Sequence, residues 1–464
     1  MIKLSDYVFE FLKEKGVEHI FMLPGGGAMH LVDSVGKSGI DYICVQHEQA
    51  AACAAEAYGQ HTNTPGVVLV TAGPGGTNTI TGVTAGWIDS TPMFVISGQA
   101  KRADLVGDKG VRQIGNQEVQ IVEMVKPITK YAVQVLEPMD IKYHLERAYY
   151  EATTGRMGPV WLDIPLDVQS AMIEEEGLRG FIPDIAVEKS WDEEIDRCIM
   201  MLQKSVKPLM LVGNGVKSAE AEELLYKFLD KVNIPVCTTW KSLDMFDEEY
   251  SLYVGHPGGM GDRGANFILQ ESDLLIILGS RVDNSITAFN EANFAPNAKK
   301  IIVDIDNNEI KKFSIPFQVA INANVKYVLE KLNEKAENIS FDNHRIWIDY
   351  CKKMRTKYPV ILPEYHAVKD KISVYHFIDI LSEVLNEQDV IVPESSGGAA
   401  EITCQAFRIK KGQKMKHAAG LGSQRRFVYC KIGANIMRIK DVLLGMFKLL
   451  PLPVITESLL ILPG

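Results

Sequence analysis

Val45-Gln46-His47-Glu48-Gln49-Ala50-Ala51-Ala52-Cys53-Ala54-Ala55-Glu56-Ala57-Tyr58-Gly59 follows a short β-like run, Asp41 to Val45, and reads as a helix with one carboxylate in its first turn. Most other side chains along it are small, and a face of alanines lets a second backbone approach closely. A lone acid beside such a face points to a buried site between two packed bodies. The plainer reading is a glutamate that complements the helix dipole, among alanines chosen for helix propensity. What surrounds the stretch decides between them.

Residues 1 to 168 alternate helical and strand patterns, which implies a parallel sheet covered on both faces. Strand candidates are His19 to Leu23, Asp41 to Val45, Gly66 to Ala72, Met93 to Gly98 and Val160 to Ile164. Their turns are glycine-rich, and the carboxyl ends of strands are where an open α/β sheet takes its ligands. Two turns stand out, Pro24-Gly25-Gly26-Gly27 and Thr71-Ala72-Gly73-Pro74-Gly75-Gly76-Thr77-Asn78. The first is a candidate site or merely a flexible turn. The second also suggests a dinucleotide cradle, but Asn78 stands where the third glycine of G-x-G-x-x-G belongs, and no acid follows on the next strand. Gly36-Lys37-Ser38 is no Walker loop, because Leu31 replaces the leading glycine. Asn78 reads as a ligand neighbour or as a helix cap. Between Gln99 and Gln120 the chain turns polar and irregular, as a working loop in an α/β domain does.

Length and composition frame the class. The chain has 464 residues, of which 46% are hydrophobic, so two or three domains with large cores are expected. A formal charge of −10 without a basic stripe argues against nucleic acid. Cys44, Cys53, Cys198, Cys237, Cys351, Cys404 and Cys430 form no C-x-x-C pair and no zinc spacing, which suits reduced thiols in the cytoplasm. The N-terminus lacks a signal-peptide pattern. No apolar run of about 18 residues occurs before position 440, so no membrane span is expected there.

His47-Glu48-Gln49-Ala50-Ala51 together with Gly73-Pro74-Gly75 closely resembles the pyrimidine-binding domain of thiamine-diphosphate enzymes, specifically the acetolactate synthase large-subunit group. The resemblance implies consecutive doubly wound α/β domains, each with a parallel sheet. It implies that Glu48 meets the N1' nitrogen of the cofactor's aminopyrimidine and favours the imino tautomer, for which the carboxyl must hold a proton in a desolvated pocket. Gly25 and Gly26 then lie near the reacting end of the cofactor, and Pro74, Gly75 and Asn78 lie against the aminopyrimidine. Gly115-Asn116-Gln117-Glu118-Val119, ahead of Lys126-Pro127-Ile128-Thr129-Lys130, resembles the family's glutamine-glutamate pattern. Gln117 is implied to reach a partner subunit's active site; a surface glutamine without a role is the alternative.

The acidic, proline-punctuated residues 169–192 read as a linker, in which the family's catalytic basic residue has no alignable counterpart. Residues 193–336 form a second α/β unit resembling the family's central domain, with FAD as its cofactor in acetolactate synthases. Asp304 and Asp306 end a strand as ribose-binding acids or as helix caps, and Asn284-Ser285-Ile286 departs from the family's Asp-Arg-Val. The polar residues 337–372 read as a second linker. Residues 373–464 open like the diphosphate-binding domain, as far as His417-Ala418-Ala419-Gly420-Leu421-Gly422-Ser423.

After Ser423 the resemblance fails. The Gly-Asp-Gly and later asparagine that hold magnesium in the family are absent, and the chain continues Gln424-Arg425-Arg426-Phe427 to a proline-broken apolar end. A frameshift after this point, loss of the domain, or a private solution for the diphosphate compete; the first is favoured. The implied activity is decarboxylation of pyruvate on thiamine diphosphate and transfer of the two-carbon unit to a 2-oxo acid, in a cytoplasmic homodimer or homotetramer, with little activity expected of this chain alone. The alternatives are a carboligase with a ketosugar acceptor and a non-catalytic binding protein of the same fold.

Overall fold

The structure, a computed structural model, describes residues 1–184, 189–341, 344–368, 371–393, 397–418 and 420–422, without the side chains of 397–399. Glu394-Ser395-Ser396, Ala419 and everything from Ser423 onward lie outside the described residues, and with them the tail read from sequence as aberrant. The chain divides into two compact units, one built on residues 1–184 and the other on residues 189–417.

In the first unit β1 (Ile2–Lys3) leads into α1 (Leu4–Glu14), followed by β2 (His19–Met22), α2 (Met29–Ser38), β3 (Asp41–Cys44), α3 (Glu48–Thr62), β4 (Gly66–Val70), α4 (Pro74–Asp89) and β5 (Met93–Gln99). Then come α5 (Ile121–Val125), β6 (Tyr131–Gln134), α6 (Ile141–Thr153), β7 (Pro159–Pro165), α7 (Leu166–Gln169) and β8 (Met172–Ile173). Six strands form a parallel sheet in the order β3-β2-β4-β5-β7-β6. All residues of β4, β5 and β7 are buried, as strands covered on both faces must be. Leu4, Val8 and Leu12 recur every four residues on α1 and carry its buried face. Edge strand β6 is half-buried throughout, so no apolar run marked it in the sequence. β8 lies inside the stretch read as a linker, yet it pairs antiparallel with β1.

In the second unit α8 (Asp192–Lys204), β9 (Pro208–Val212), α9 (Gly215–Ser218), α10 (Glu222–Val232), β10 (Val236–Thr238), α11 (Arg263–Glu271), β11 (Leu274–Leu278), β12 (Lys299–Asp304), α12 (Asn307–Lys311), β13 (Val319–Asn322) and α13 (Val325–Lys335) build a parallel five-stranded sheet, ordered β10-β9-β11-β12-β13. Then follow α14 (Arg345–Lys357), α15 (Pro363–His366), α16 (Val374–Val384), β14 (Val390–Ile391), α17 (Gly397–Ala406) and β15 (Lys414–Met415). The stretch 337–372, read from sequence as a linker, therefore carries a helix of 13 residues. Its Trp347, Ile348, Cys351 and Met354 are buried, and Trp347 Nε1 donates to Pro208 O at 2.8 Å. Basic residues on its outer face masked this apolar stripe.

Candidate functional site

In the first unit β3 lies on one side of β2 and β4 on the other, so the chain changes winding direction between β2 and β4. The loops leaving those two strands flank the crevice where doubly wound sheets bind ligands. They are the two glycine turns of the sequence, and Thr71 joins them. Its Oγ1 accepts from Gly27 N–H at 3.0 Å, and a Cβ on Gly25 or Gly75 would lie 2.6 or 2.8 Å from its side chain. Around Gly26 such an atom would meet nothing within 4 Å. The crevice thus has a wall of backbone with open space beside Gly26. Thr71, the tie between the turns, went unremarked in the sequence because an isolated threonine at a strand end carries no pattern.

Glu48 opens α3, the next helix over. Its cap is His47, whose Nδ1 accepts from Gln49 N–H at 3.1 Å. Behind it Ala50, Ala51, Ala52, Ala54 and Ala55 are buried. α4 lies against this face so closely that a Cβ on Gly82 would be 2.5 Å from Ala52 Cβ. Glu48 and Ala52 are one turn apart, as are Asn78 and Gly82, and the contact repeats one turn higher as a hydrogen bond. Asn78 Nδ2 donates to Glu48 Oε2 at 2.9 Å. Glu48 is only 8% exposed, and among the described residues its other oxygen accepts nothing. Asn78 is the fifth residue of α4, whose cap is Gly73, so the capping alternative for Asn78 falls away. α3 also buries Glu56, which accepts from Gln60 at 2.5 Å and Thr91 at 3.1 Å.

Gln117 sits above the second turn. Gly73 has φ +64°, and a Cβ there would lie 2.6 Å from Gln117 O. Gln117 itself is exposed and left-handed, at φ +60°, a conformation costing a non-glycine residue about 1 to 3 kcal/mol unless its surroundings hold it. Glu118 is one such holder. Its buried carboxylate accepts from Val106 N–H at 2.5 Å, Ile114 N–H at 3.0 Å and Gly115 N–H at 3.2 Å. Glu118 therefore shapes the loop from within, a role that sequence reasoning missed by treating it as half of a pair.

In the second unit the winding changes between β9 and β11. The turns leaving these strands touch backbone to backbone: Gly215 N–H donates to Gly279 O at 2.9 Å, and a Cβ on Gly213 would lie 2.3 Å from that oxygen. Asp304 and Asp306 stand at the carboxyl end of β12. Asp304 Oδ1 accepts from Asp306 N–H at 2.9 Å, and Asp306 caps α12 through Asn308 N–H at 2.9 Å. Asp306 thus fills the capping role; neither aspartate is near Glu48 in sequence, and each belongs to the second unit.

The first unit thus joins a switch-point crevice lined by glycine backbone to a buried acid on an alanine-faced helix. Residues 2–124 match the model of the N-terminal TPP binding domain of thiamine pyrophosphate enzymes, and residues 195–332 match that of their central domain. The acetolactate synthase large subunit of Corynebacterium glutamicum is 34% identical over 432 residues, spanning 91% of this chain and 67% of the relative. The chain belongs to the acetolactate synthase large-subunit family of thiamine pyrophosphate enzymes. The Lactococcus lactis large subunit is 32% identical over 93% of this chain and 73% of its own length, and that of Haemophilus influenzae 35% identical over 75% and 61%. Membership agrees with the fold class and the family resemblance read from the sequence. Among the described residues no helix is long and apolar enough to cross a membrane.

Proposed function

We propose that the chain carries the aminopyrimidine side of a thiamine-diphosphate carboligase site of the acetolactate synthase type, acting on pyruvate and a second 2-oxo acid in a cytoplasmic homodimer or homotetramer. The observation that carries this reading is the buried Glu48 carboxyl, oriented by Asn78 through one oxygen and with the other available. That donor set fits a ring nitrogen, which needs one carboxyl oxygen able to give or take a proton. Thiamine diphosphate supplies the electron sink for decarboxylation and two-carbon transfer when bound. The chain's own contribution is to present the free Glu48 oxygen, to orient the carboxyl by the Asn78 bond to the other oxygen, and to keep side chains away from the crevice at Gly25, Gly26 and Gly75. Gln117 is the side chain that would reach a partner subunit's active site.

Magnesium does not fit the described residues, among which no three His, Cys, Asp or Glu side chains converge, and residues 1–464 contain no Gly-Asp-Gly. A second reading is a chain that pairs with a complete partner chain without turnover of its own. For the second unit we propose the carboxyl edge of β9, β11 and β12, with Asp304 and Asp306, as a nucleotide edge that takes FAD. A yellow chromophore released on denaturation supports it; colourless protein that takes up no added FAD refutes it.

The test of the pyrimidine reading is saturation-transfer NMR with thiamine diphosphate, alongside an acetolactate assay with pyruvate and magnesium. The pyrimidine protons should receive saturation from the wild-type chain and lose it in Glu48→Ala and Asn78→Ala. Acetolactate should be scant from residues 1–464 alone. Absent transfer in the wild type, or full transfer in Glu48→Ala, refutes the role of Glu48; robust turnover by the isolated chain refutes the second reading.

A further inference from the structure

Asp163 lies inside β7, between Leu162 and Ile164, and is 0% exposed. Among the described residues it has no cationic partner. Every group that meets its carboxylate is a neutral donor: Ser97 Oγ at 2.5 Å and Gln99 Nε2 at 3.1 Å, both from β5, and Gln134 Nε2 at 2.9 Å from β6. On its own strand Trp161 Nε1 donates to Ser97 Oγ at 2.8 Å, which fixes the serine hydroxyl toward the acid. Burial pushes the Asp163 carboxyl up to about 6, against the three hydrogen bonds that pull it down. A fold that wanted only packing would place an apolar residue here, since an unpaired buried acid is costly.

What the acid holds is Gln99. Nε2 of Gln99 has two hydrogens, one donated to Asp163 and the other to Val119 O at 3.0 Å. Oε1 of the same amide accepts from Ala100 N–H at 2.9 Å, which settles which end of the side chain faces the acid. Val119 follows Glu118 and Gln117 directly. The loop that presents Gln117 is therefore gripped on both sides of its left-handed residue: Glu118 gathers the backbone N–H groups ahead of it, and Gln99 takes the carbonyl behind it. Only the second grip comes from the sheet, since Gln99 ends β5, and Asp163 fixes the amide that makes it. The gripped loop is the one whose backbone abuts Gly73 at the foot of α4.

We propose that Asp163 is a positioning residue, holding Gln117 over the Gly73 turn through Gln99 and Val119. Its value to the protein rests on the proposed pyrimidine site, but the grip itself does not, and it is measurable without thiamine diphosphate. As an anion Asp163 is the matched acceptor for three donors. An asparagine in its place turns an acceptor into a further donor, and a charged hydrogen bond becomes a neutral one.

The experiment compares hydrogen exchange of the amides in 112–119 among the wild type, Asp163→Asn and Gln99→Met, with Trp161 emission followed across pH. Gln99→Met leaves Asp163 two of its donors while it cuts the link to Val119 and the bond from Ala100 N–H, so it serves even where Asp163→Asn fails to fold. Exchange in 112–119 should quicken about tenfold in either folded variant, as loss of one such bond predicts, while β4 and β5 amides keep their protection. Wild-type Trp161 emission should titrate with a midpoint near 6 and lose that transition in Asp163→Asn. Unchanged exchange in Gln99→Met, or a Trp161 transition that persists without the acid, overturns the proposal. Saturation transfer to the pyrimidine that vanishes in Glu48→Ala but accompanies unaltered loop exchange would leave the pyrimidine site standing and this inference refuted.

Discussion

Gly82→Ala tests the contact on which the proposed site is built. The new Cβ would sit 2.5 Å from Ala52 Cβ, 2.8 Å from the Ala52 carbonyl carbon and 2.9 Å from Cys53 N, where ordinary contact begins at 3.4 Å. Two of those three atoms are backbone, so no side chain can swing aside, and α3 and α4 must separate by about 1 Å. The strain of forcing a methyl group into such a contact is about 1 to 3 kcal/mol. The same separation would carry the Asn78–Glu48 bond from 2.9 Å to about 3.8 Å, beyond hydrogen-bonding range. Urea unfolding should report the stability loss. Saturation transfer from the protein to the thiamine pyrimidine should fall with it, although no residue touching Glu48 has changed. Adding Ala52→Gly removes the closest of the three atoms but leaves the backbone pair, so it should restore part of both losses. A Gly82→Ala chain as stable as the wild type, with its pyrimidine contact intact, would refute the claim that helix proximity sets the Glu48–Asn78 geometry.

Three other outcomes follow from the same coordinates. Asp163 holds its proton to about 6 in the folded chain and to roughly 4 when unfolded. The folded state therefore binds more protons between those values, and stability should fall by about 3 kcal/mol as pH rises through that window, a slope that urea melts should find missing in Asp163→Asn. Gly73→Ala meets both a φ of +64° and the Gln117 carbonyl at 2.6 Å, so it should lower the melting temperature and raise hydrogen exchange around Gln117; an unchanged loop would mean that the turn and the loop are not coupled. In the second unit Lys217 lies 2.5 Å from Asp244, whose side chain is 1% exposed. Burial pushes the Asp244 carboxyl up, but the charges of Lys217 and Lys416 and the bonds from Lys217 and Met415 N–H hold it below the usual carboxylate range. Lys217→Met should cost about 3 kcal/mol by denaturant titration, the low end for breaking a buried pair. Lys416, held down to about 7 by burial and then by the charge of Lys217, regains its proton and takes over part of the pairing.

The pattern of what could be read in advance follows the physics of each signal. Strands covered on both faces appear as apolar runs, which is why β4, β5 and β7 were legible. Edge strands β6 and β13 were not, since half-buried residues in the one and alternating burial in the other leave no run. α14 escaped because its charged outer face outweighs four buried residues in any average over the stretch. At the site, Glu48 and the glycine turns were legible because each is a local pattern: an acid ahead of alanines, and glycines between strand and helix. Thr71, Glu118, Gln99 and Asp163 act across 44, 12, 20 and 64 residues of chain respectively, and nothing near them in sequence announces their partners. One of them did leave a trace. Asp163 interrupts Val160-Trp161-Leu162 and Ile164, and a charge in the middle of a doubly covered strand is costly enough to require an occupation. The interrupted run is thus a sequence signal for polar machinery beneath a sheet. Its cost is the same quantity that raises the Asp163 carboxyl to about 6, so one titration measures both how badly the acid fits the core and how firmly something else must require it there.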